Sequence, residues 1–322
     1  MLYFLYLCDT MRYSITLSYD GSSFCGWQLQ RGDPSVQGCL EEALSTLLGT
    51  TVAVTGAGRT DSKVNAVGYI AHFDIVDVGA PDPAELAYKL NAILPPSVVI
   101  HAISPEAPDF HARFDASQRK YTYFLHRLKD PFVEKYSLRR DWDLDFAAMN
   151  RAAALLTGRH DFACFEKKGT DVKTTVCTVR EAFWAPYVPT HVALMGFGPS
   201  APASVSEATD PREAGKNPGG ESFPQAGSSP GWRYAYFRIS ADRFLRNMVR
   251  AVVGTLLEVG RGKRSLEDFA SLILEAPEEP LPADALRIVR NDVPELNLRG
   301  RAGDSVPGHA LFFSGVEYDG RD

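Results

Sequence analysis

The feature that most constrains this chain is a glycine-rich hexapeptide, Gly56-Ala57-Gly58-Arg59-Thr60-Asp61, set between two stretches that read as β-strands. Before it, Thr50 to Thr55 is a β-branched run, which suits a pleated, half-buried surface. After it, Val67, Tyr69, Ala71 and Phe73 alternate with Gly68, Ile70, His72 and Asp74, the period expected of a strand with one buried face. Arg59 and Asp61 are therefore predicted to sit on a tight loop held at both ends by a sheet. Glycines give such a loop backbone angles that other residues resist. A rigid sheet carrying a charged loop is a common way to fix a catalytic group. Taken alone, Asp61 also reads as a turn carboxylate bonding its own backbone.

The remainder alternates between the two periods. Tyr13, Ile15, Leu17 and Tyr19 predict a strand. Asp33 or Ser35 then caps a helix bearing Val36, Leu40, Leu44 and Leu48, with Gly49 as its stop. A second helix runs from about Pro83 to Leu94 and ends at Pro95-Pro96. Val98 to Ala102 reads as a strand, as does 119–126, where Tyr121, Tyr123 and Leu125 share one face. Asp143 or Asp145 opens a helix with Phe146, Met149 and Ala153 inward, closed by Gly158, and His160-Asp161-Phe162 reads as structural or capping. Thr174 to Phe183 and Trp232 to Ser240 read as strands. Asp242 is expected to cap a long helix on Leu245, Met248, Val249, Val252, Val253, Leu256 and Leu257, with Arg246 and Arg250 one turn apart on its flank. Residues 309–318 read as the last strand. Gly198–Gly231 differs in kind: of its 34 residues six are Gly, six Pro and six Ser, too little apolar surface to repay ordering, so a disordered insertion is expected.

Composition bounds the function. A chain of 322 residues can form one or two domains. Its net charge of −6 disfavours a nucleic-acid partner on its face. The charge is unevenly spread, however: residues 109–140 hold eight Lys/Arg against four Asp/Glu, and 243–264 hold six against one. A basic face on an acidic protein is therefore open, as is plain solvated surface. Five scattered cysteines, Cys8, Cys25, Cys39, Cys164 and Cys177, contain no CxxC pair, which argues for a reducing cytoplasm and against a zinc site. No apolar run approaches the roughly 20 residues of a membrane helix. Residues 1–10 lack a basic start and make a poor signal peptide, so Met11 is expected to be the true start and residues 1–10 a disordered or wrongly assigned upstream extension.

Three blocks together resemble the tRNA pseudouridine synthase A (TruA) family. The first is Gly58-Arg59-Thr60-Asp61 with Val64, Ala66 and Ala71-His72-Phe73-Asp74, preceded by Tyr19-Asp20-Gly21 and Gly26-Trp27-Gln28. The second is Phe110-His111-Ala112-Arg113-Phe114 with Arg119-Lys120-Tyr121-Thr122-Tyr123. The third is Phe244-Leu245-Arg246-Asn247-Met248-Val249-Arg250 with Glu258-Val259-Gly260-Arg261-Gly262. The resemblance covers roughly residues 12–280 and weakens where Asp284 to Gly308 interrupts the closing segment. It implies an α+β fold of two similar ferredoxin- or RRM-like halves. These join into one mixed, mostly antiparallel sheet with helices on one side and an active-site cleft between the halves. The domains would be 12–108 and 109–322, after an extension at 1–11. It implies isomerisation of uridine to pseudouridine in the anticodon stem-loop of tRNA, positions 38–40, by a homodimer without cofactor or metal. Asp61 would be the nucleophile, Tyr121 a substrate contact, Arg250 the partner of the carboxylate with Arg246 as runner-up, and Arg59 the group that fills the gap left by the extruded base.

The loop departs from the family pattern after the aspartate. Ser62, Lys63, Val64 and Asn65 stand where the family has a small residue, a glycine, a valine and a histidine. Lys63 is expected to be strained if that site needs a positive φ. The rival reading is a tRNA-binding paralogue that remodels RNA with little or no catalysis.

Overall fold

The structure is a computed structural model that describes residues 10–76, 81–167, 174–195, 232–277 and 298–320. The expected insertion at 198–231, residues 1–9 and most of the interruption at 284–308 lie outside the described residues. In chain order the strands are β1 (Met11–Tyr19), β2 (Val54–Gly56), β3 (Asn65–Ile75), β4 (Val98–Glu106), β5 (Ala116–His126), β6 (Leu138–Arg139), β7 (Gly158–Asp161), β8 (Val176–Pro186), β9 (Tyr234–Ala241), β10 (Leu274–Glu275) and β11 (Leu311–Tyr318). The helices are α1 (Val36–Leu48), α2 (Pro83–Ile93), α3 (Phe146–Ala154), α4 (Thr190–Met195), α5 (Met248–Gly260), α6 (Leu266–Ala270) and α7 (Leu298–Arg301). The fold is α+β, with one mixed, mostly antiparallel sheet of eleven strands among the described residues.

The chain divides into two compact units. The first comprises residues up to Tyr121, Ser240–Arg246 and the chain end from Leu311; the second comprises Thr122–Ile239 and Asn247–Ala310. In the first, β1-α1-β2-β3-α2-β4 is a split βαβ arrangement. β1 lies between β3 and β4, antiparallel to both, and β2 pairs antiparallel with the outer side of β3. β11 adds to β3 in parallel, Phe312 facing Asn65 and Phe313 facing Ala66. Ile15, Leu17, Tyr69, Phe73, Leu40, Leu44 and Leu90 form the core of this unit and are almost fully buried. Local signals explain the helices. Ser35 accepts from the Gly38 amide at the start of α1, and Gly49 ends it with φ 67°. Asp82, one residue before Pro83, caps α2.

One register detail differs from simple alternation. Val67 was expected on the face of Tyr69, yet it is exposed. Gly68 adopts φ 66°, and the β1–β3 register jumps between Leu17↔Tyr69 and Tyr19↔Ala66. A bulge with glycine in the left-handed region inserts one residue and resets which side chains point inward. Asn65 and Ala66 thereby become buried at the mouth of the Asp61 loop.

In the second unit the strands run in the order β10-β7-β8-β9-β5, with β6 beside β5. Asp145 caps α3, and Asp161 accepts from the Ala163 amide in a local turn. α5 is buried on nearly all sides: only Arg250 and Glu258 of its thirteen residues are not. Its start corrects the sequence reading. Asp242 does not cap it; the helix begins at Met248 after Asn247, which takes φ 63° and ψ 6°. Asn tolerates this left-handed geometry, and its side chain bonds Ser305 Oγ at 2.5 Å. Leu245 and Arg246 therefore precede the helix, although their spacing matched its apolar stripe.

Candidate active site

In the first unit the loop from Ala57 to Val64 leaves β2 and enters β3, and it is pinned nearly residue by residue. The Ala57 amide donates to Ile70 O at 2.9 Å. The Tyr69 hydroxyl donates to Gly58 O and accepts from the Gly58 amide. The Trp27 amide donates to Thr60 O at 3.2 Å, and the Thr60 and Tyr19 hydroxyls bond at 2.8 Å. The Lys63 amide donates to Phe24 O and the Val64 amide to Asp61 O, both at 3.2 Å. Beneath lies an aromatic floor: Trp27 packs on Tyr69 at 4.3 Å between ring centroids, and Tyr69 on Phe313 at 4.9 Å. Gly26 must be glycine, because it has φ 109° and a Cβ there would run into Thr60 O. The turn carrying Trp27 thus touches the backbone next to Asp61. Trp27 is buried, as base rates for tryptophan favour.

The carboxylate of Asp61 is half-buried, and Arg59 beside it is exposed. Tyr121, on β5, is buried, with its ring edge-on to Phe244 at 5.0 Å and to Phe313 at 5.4 Å. Burial pushes the Tyr121 phenol well above its ordinary range, and the negative charge of Asp61 pushes it further, opposed by Arg119. Tyr121 is therefore a neutral hydrogen-bonding group within the field of Asp61. Of the residues chosen from sequence, Asp61, Arg59 and Tyr121 gather in this unit. Arg246 is also in it, exposed and ahead of α5. Arg250 belongs to the second unit, where its Nε donates to Val306 O at 2.6 Å.

Sequence reading passed over Arg119, which frames the loop. Its Nε and one terminal nitrogen donate to Ala57 O at 3.3 and 3.2 Å. The other terminal nitrogen donates to Ala116 O at 2.7 Å and Asp242 O at 2.6 Å, and a further bond reaches Arg113 O. It also passed over Arg113 and Arg243 as individuals. Burial, followed by the like charges of Arg59 and Arg243, lowers the Arg113 pKa, so three guanidiniums share one neighbourhood. Phe114 is three-quarters exposed, with Arg113 over its ring at 5.7 Å. The basic balance of 109–140 was the available signal, but it does not say which cations converge.

Two residues of the unusual loop can now be placed. Asn65 is buried, and its Oδ1 accepts from the Gly21 amide at 2.9 Å, so it holds the turn after β1. Lys63 adopts φ 64° while its side chain is exposed. A side chain in that region costs about 1–2 kcal/mol, and glycine gives back part of the difference by loosening the unfolded chain. Lys63→Gly is expected to raise stability by about 0.5–1 kcal/mol, read as a higher urea midpoint at unchanged slope; a lower midpoint rules the strain out.

His72, on β3, accepts from the Ala112 amide through Nδ1 at 3.1 Å and so carries the segment leading to Arg113. Its pKa falls to about 4, through burial first and then the charges of Arg12 and His111, against Asp74 and Asp115. The ring is neutral when folded and takes up a proton near pH 6.5 when unfolded. Its contribution is complete above that pH and disappears as pH falls toward 4. Between pH 7 and pH 5 the loss is expected to be about 2 kcal/mol. Urea midpoints at the two pH values, compared with His72→Gln, check this: equal losses in both proteins assign the effect to other groups.

A half-buried carboxylate on a pinned loop, a buried neutral phenol within its field and a group of guanidiniums are features that an enzyme acting on a polyanionic substrate would need. Comparison with known proteins agrees. Residues 152–286 match the family model described as tRNA pseudouridine synthase. The chain is 39% identical to the tRNA pseudouridine synthase A of Porphyromonas gingivalis, over 95% of this chain and 97% of that protein. It is 40% identical to that of Bacteroides thetaiotaomicron, over 95% and 90%, and 35% identical to that of Neisseria gonorrhoeae, over 88% and 92%. This chain belongs to the tRNA pseudouridine synthase A family. Nothing in these matches favours the inactive paralogue. Among the described residues no helix is long and apolar enough to cross a membrane, and no group of three or more His, Cys, Asp or Glu is placed to hold a metal ion.

Proposed function

We propose that this chain converts uridine to pseudouridine in the anticodon stem-loop of tRNA, at positions 38–40, with Asp61 as the nucleophilic carboxylate. The observation that carries the reading is the half-buried Asp61 carboxylate on a loop pinned by backbone hydrogen bonds, with the buried Tyr121 phenol of β5 within its field. The reaction breaks the C1′–N1 bond, forms a C1′–C5 bond, releases the C5 proton and leaves a proton on N1. No redox partner is needed. The target base must leave the stack, at a cost of a few kcal/mol. Exposed Arg59, two residues from the carboxylate, supplies a planar cation to occupy the gap, and Arg113 and Arg243 attract the phosphates. Tyr121 contacts the extruded uracil. Arg250 is the proposed partner that keeps the carboxylate ionised, with Arg246 the alternative. The protein acts in the cytoplasm as a homodimer. Release of tritium from tRNA labelled at C5 of uridine tests the activity directly: tRNA binding without release selects the remodelling reading instead.

A further inference from the structure

A second basic site lies in the second unit and plays no part in the chemistry described above. Arg127, Leu128, Lys129, Arg139, Arg140, Asp141 and Trp142 line a surface hollow of about 470 Å³. Four of these seven are cationic and one is acidic. Two of the lining cations, Arg140 and Arg127, are anchored by neighbours. Arg261, just past the end of α5, lies over the Trp142 ring at 3.9 Å, and Arg140 stacks on the same ring at 5.0 Å. Arg140 also donates through a terminal nitrogen to Arg139 O at 2.8 Å. Its buried Nε has no hydrogen-bond partner among the described residues. Asp143 occupies Arg127 at 3.2 Å, but Asp143 itself is almost wholly exposed.

We propose that this hollow is a seat for RNA phosphates, a contact additional to the Asp61 site and resting on the reading that tRNA is the substrate. A guanidinium laid on an aromatic ring keeps its in-plane N–H donors free for an anion, and an ordered one loses less side-chain entropy on binding. The lining cations come from two separate chain segments, 127–129 and 139–140, with Arg261 next to them over Trp142, so they fit successive phosphates of a strand better than one small anion.

The test uses the full chain and a full-length tRNA transcript, with Kd measured from about 50 to about 300 mM KCl. The double variant Arg139→Gln/Arg140→Gln is expected to bind about tenfold more weakly near 0.1 M salt, and its plot of log Kd against log salt should be shallower by about 1.5–2. The charge-keeping Arg139→Lys/Arg140→Lys should retain most of the slope. Trp142→Ala, which removes no charge, should weaken binding severalfold at nearly unchanged slope. A folded Gln double variant with wild-type affinity and slope overturns the seat. So does one whose oligomeric state alone changes, because the hollow then faces another protein. If wild type releases no tritium, only the catalytic reading fails; the salt slope reports binding by itself.

Discussion

Asp61→Asn is expected to reduce tritium release to background, a loss of at least about 10⁴-fold, while tRNA affinity stays within about threefold. The substitution is nearly isosteric, and the backbone around residue 61 is fixed by groups that do not involve its carboxylate: Tyr69 on Gly58, Trp27 on Thr60 and Phe24 on Lys63. The loop therefore keeps its shape, while the charge and nucleophilicity are lost. Affinity is insensitive because phosphate contacts from arginines dominate binding to RNA, and removing a negative charge from such a surface weakens nothing. Turnover retained by the Asn variant would end the nucleophile assignment, and a collapse of affinity together with turnover would recast Asp61 as a structural turn residue.

How far the site could be read from sequence depends on the range of the forces involved. Ser35 and Asp145, each one of two candidates in the sequence, were legible as caps because capping chemistry acts within a few residues. The strands of the split βαβ were legible from their period. Three things were not. The bulge at Gly68 turns Val67 outward through one backbone angle, and alternation carries no mark of it. The true start of α5 depends on Asn247, whose left-handed turn is secured by Ser305, 58 residues away. The spacing of Leu245 and Arg246 was helical by coincidence with the stripe that follows. The parallel pairing of β11 with β3, which brings Phe313 under Tyr69 and Tyr121, joins the two ends of the sequence. No local pattern encodes such a contact. The relation of Asp61 to Tyr121 follows the same logic: each residue stood out in its own block, but only the folded unit puts the Tyr121 phenol within the field of the Asp61 carboxylate.

The largest effect outside the chemistry itself is expected at Arg119. Its donors tie four backbone carbonyls: Ala57, at the base of the Asp61 loop; Arg113 and Ala116, in the basic block; and Asp242, in the stretch before Asn247. Burial lowers its pKa, with Tyr318, Tyr121 and Asp242 working against that, yet a guanidinium stays charged at any working pH. Arg119→Ala strips these acceptors of a charged donor at once. Hydrogen bonds to charged groups are worth about 1.5–3 kcal/mol each, and because the group is partly exposed and the bonds are not additive, about 3 kcal/mol of stability is the expected total. Activity should suffer more than that figure implies. Misplacing Asp61 by about 1 Å costs on the order of 100-fold, so single-turnover rates should fall at least that much at temperatures where the variant is fully folded. Arg119→Lys separates charge from geometry: an ammonium keeps the charge but cannot span carbonyls on opposite sides of a planar fork. It is expected to recover much of the thermal stability and little of the rate. Full recovery of rate by lysine would reduce Arg119 to a source of positive potential and remove it from the positioning of the loop.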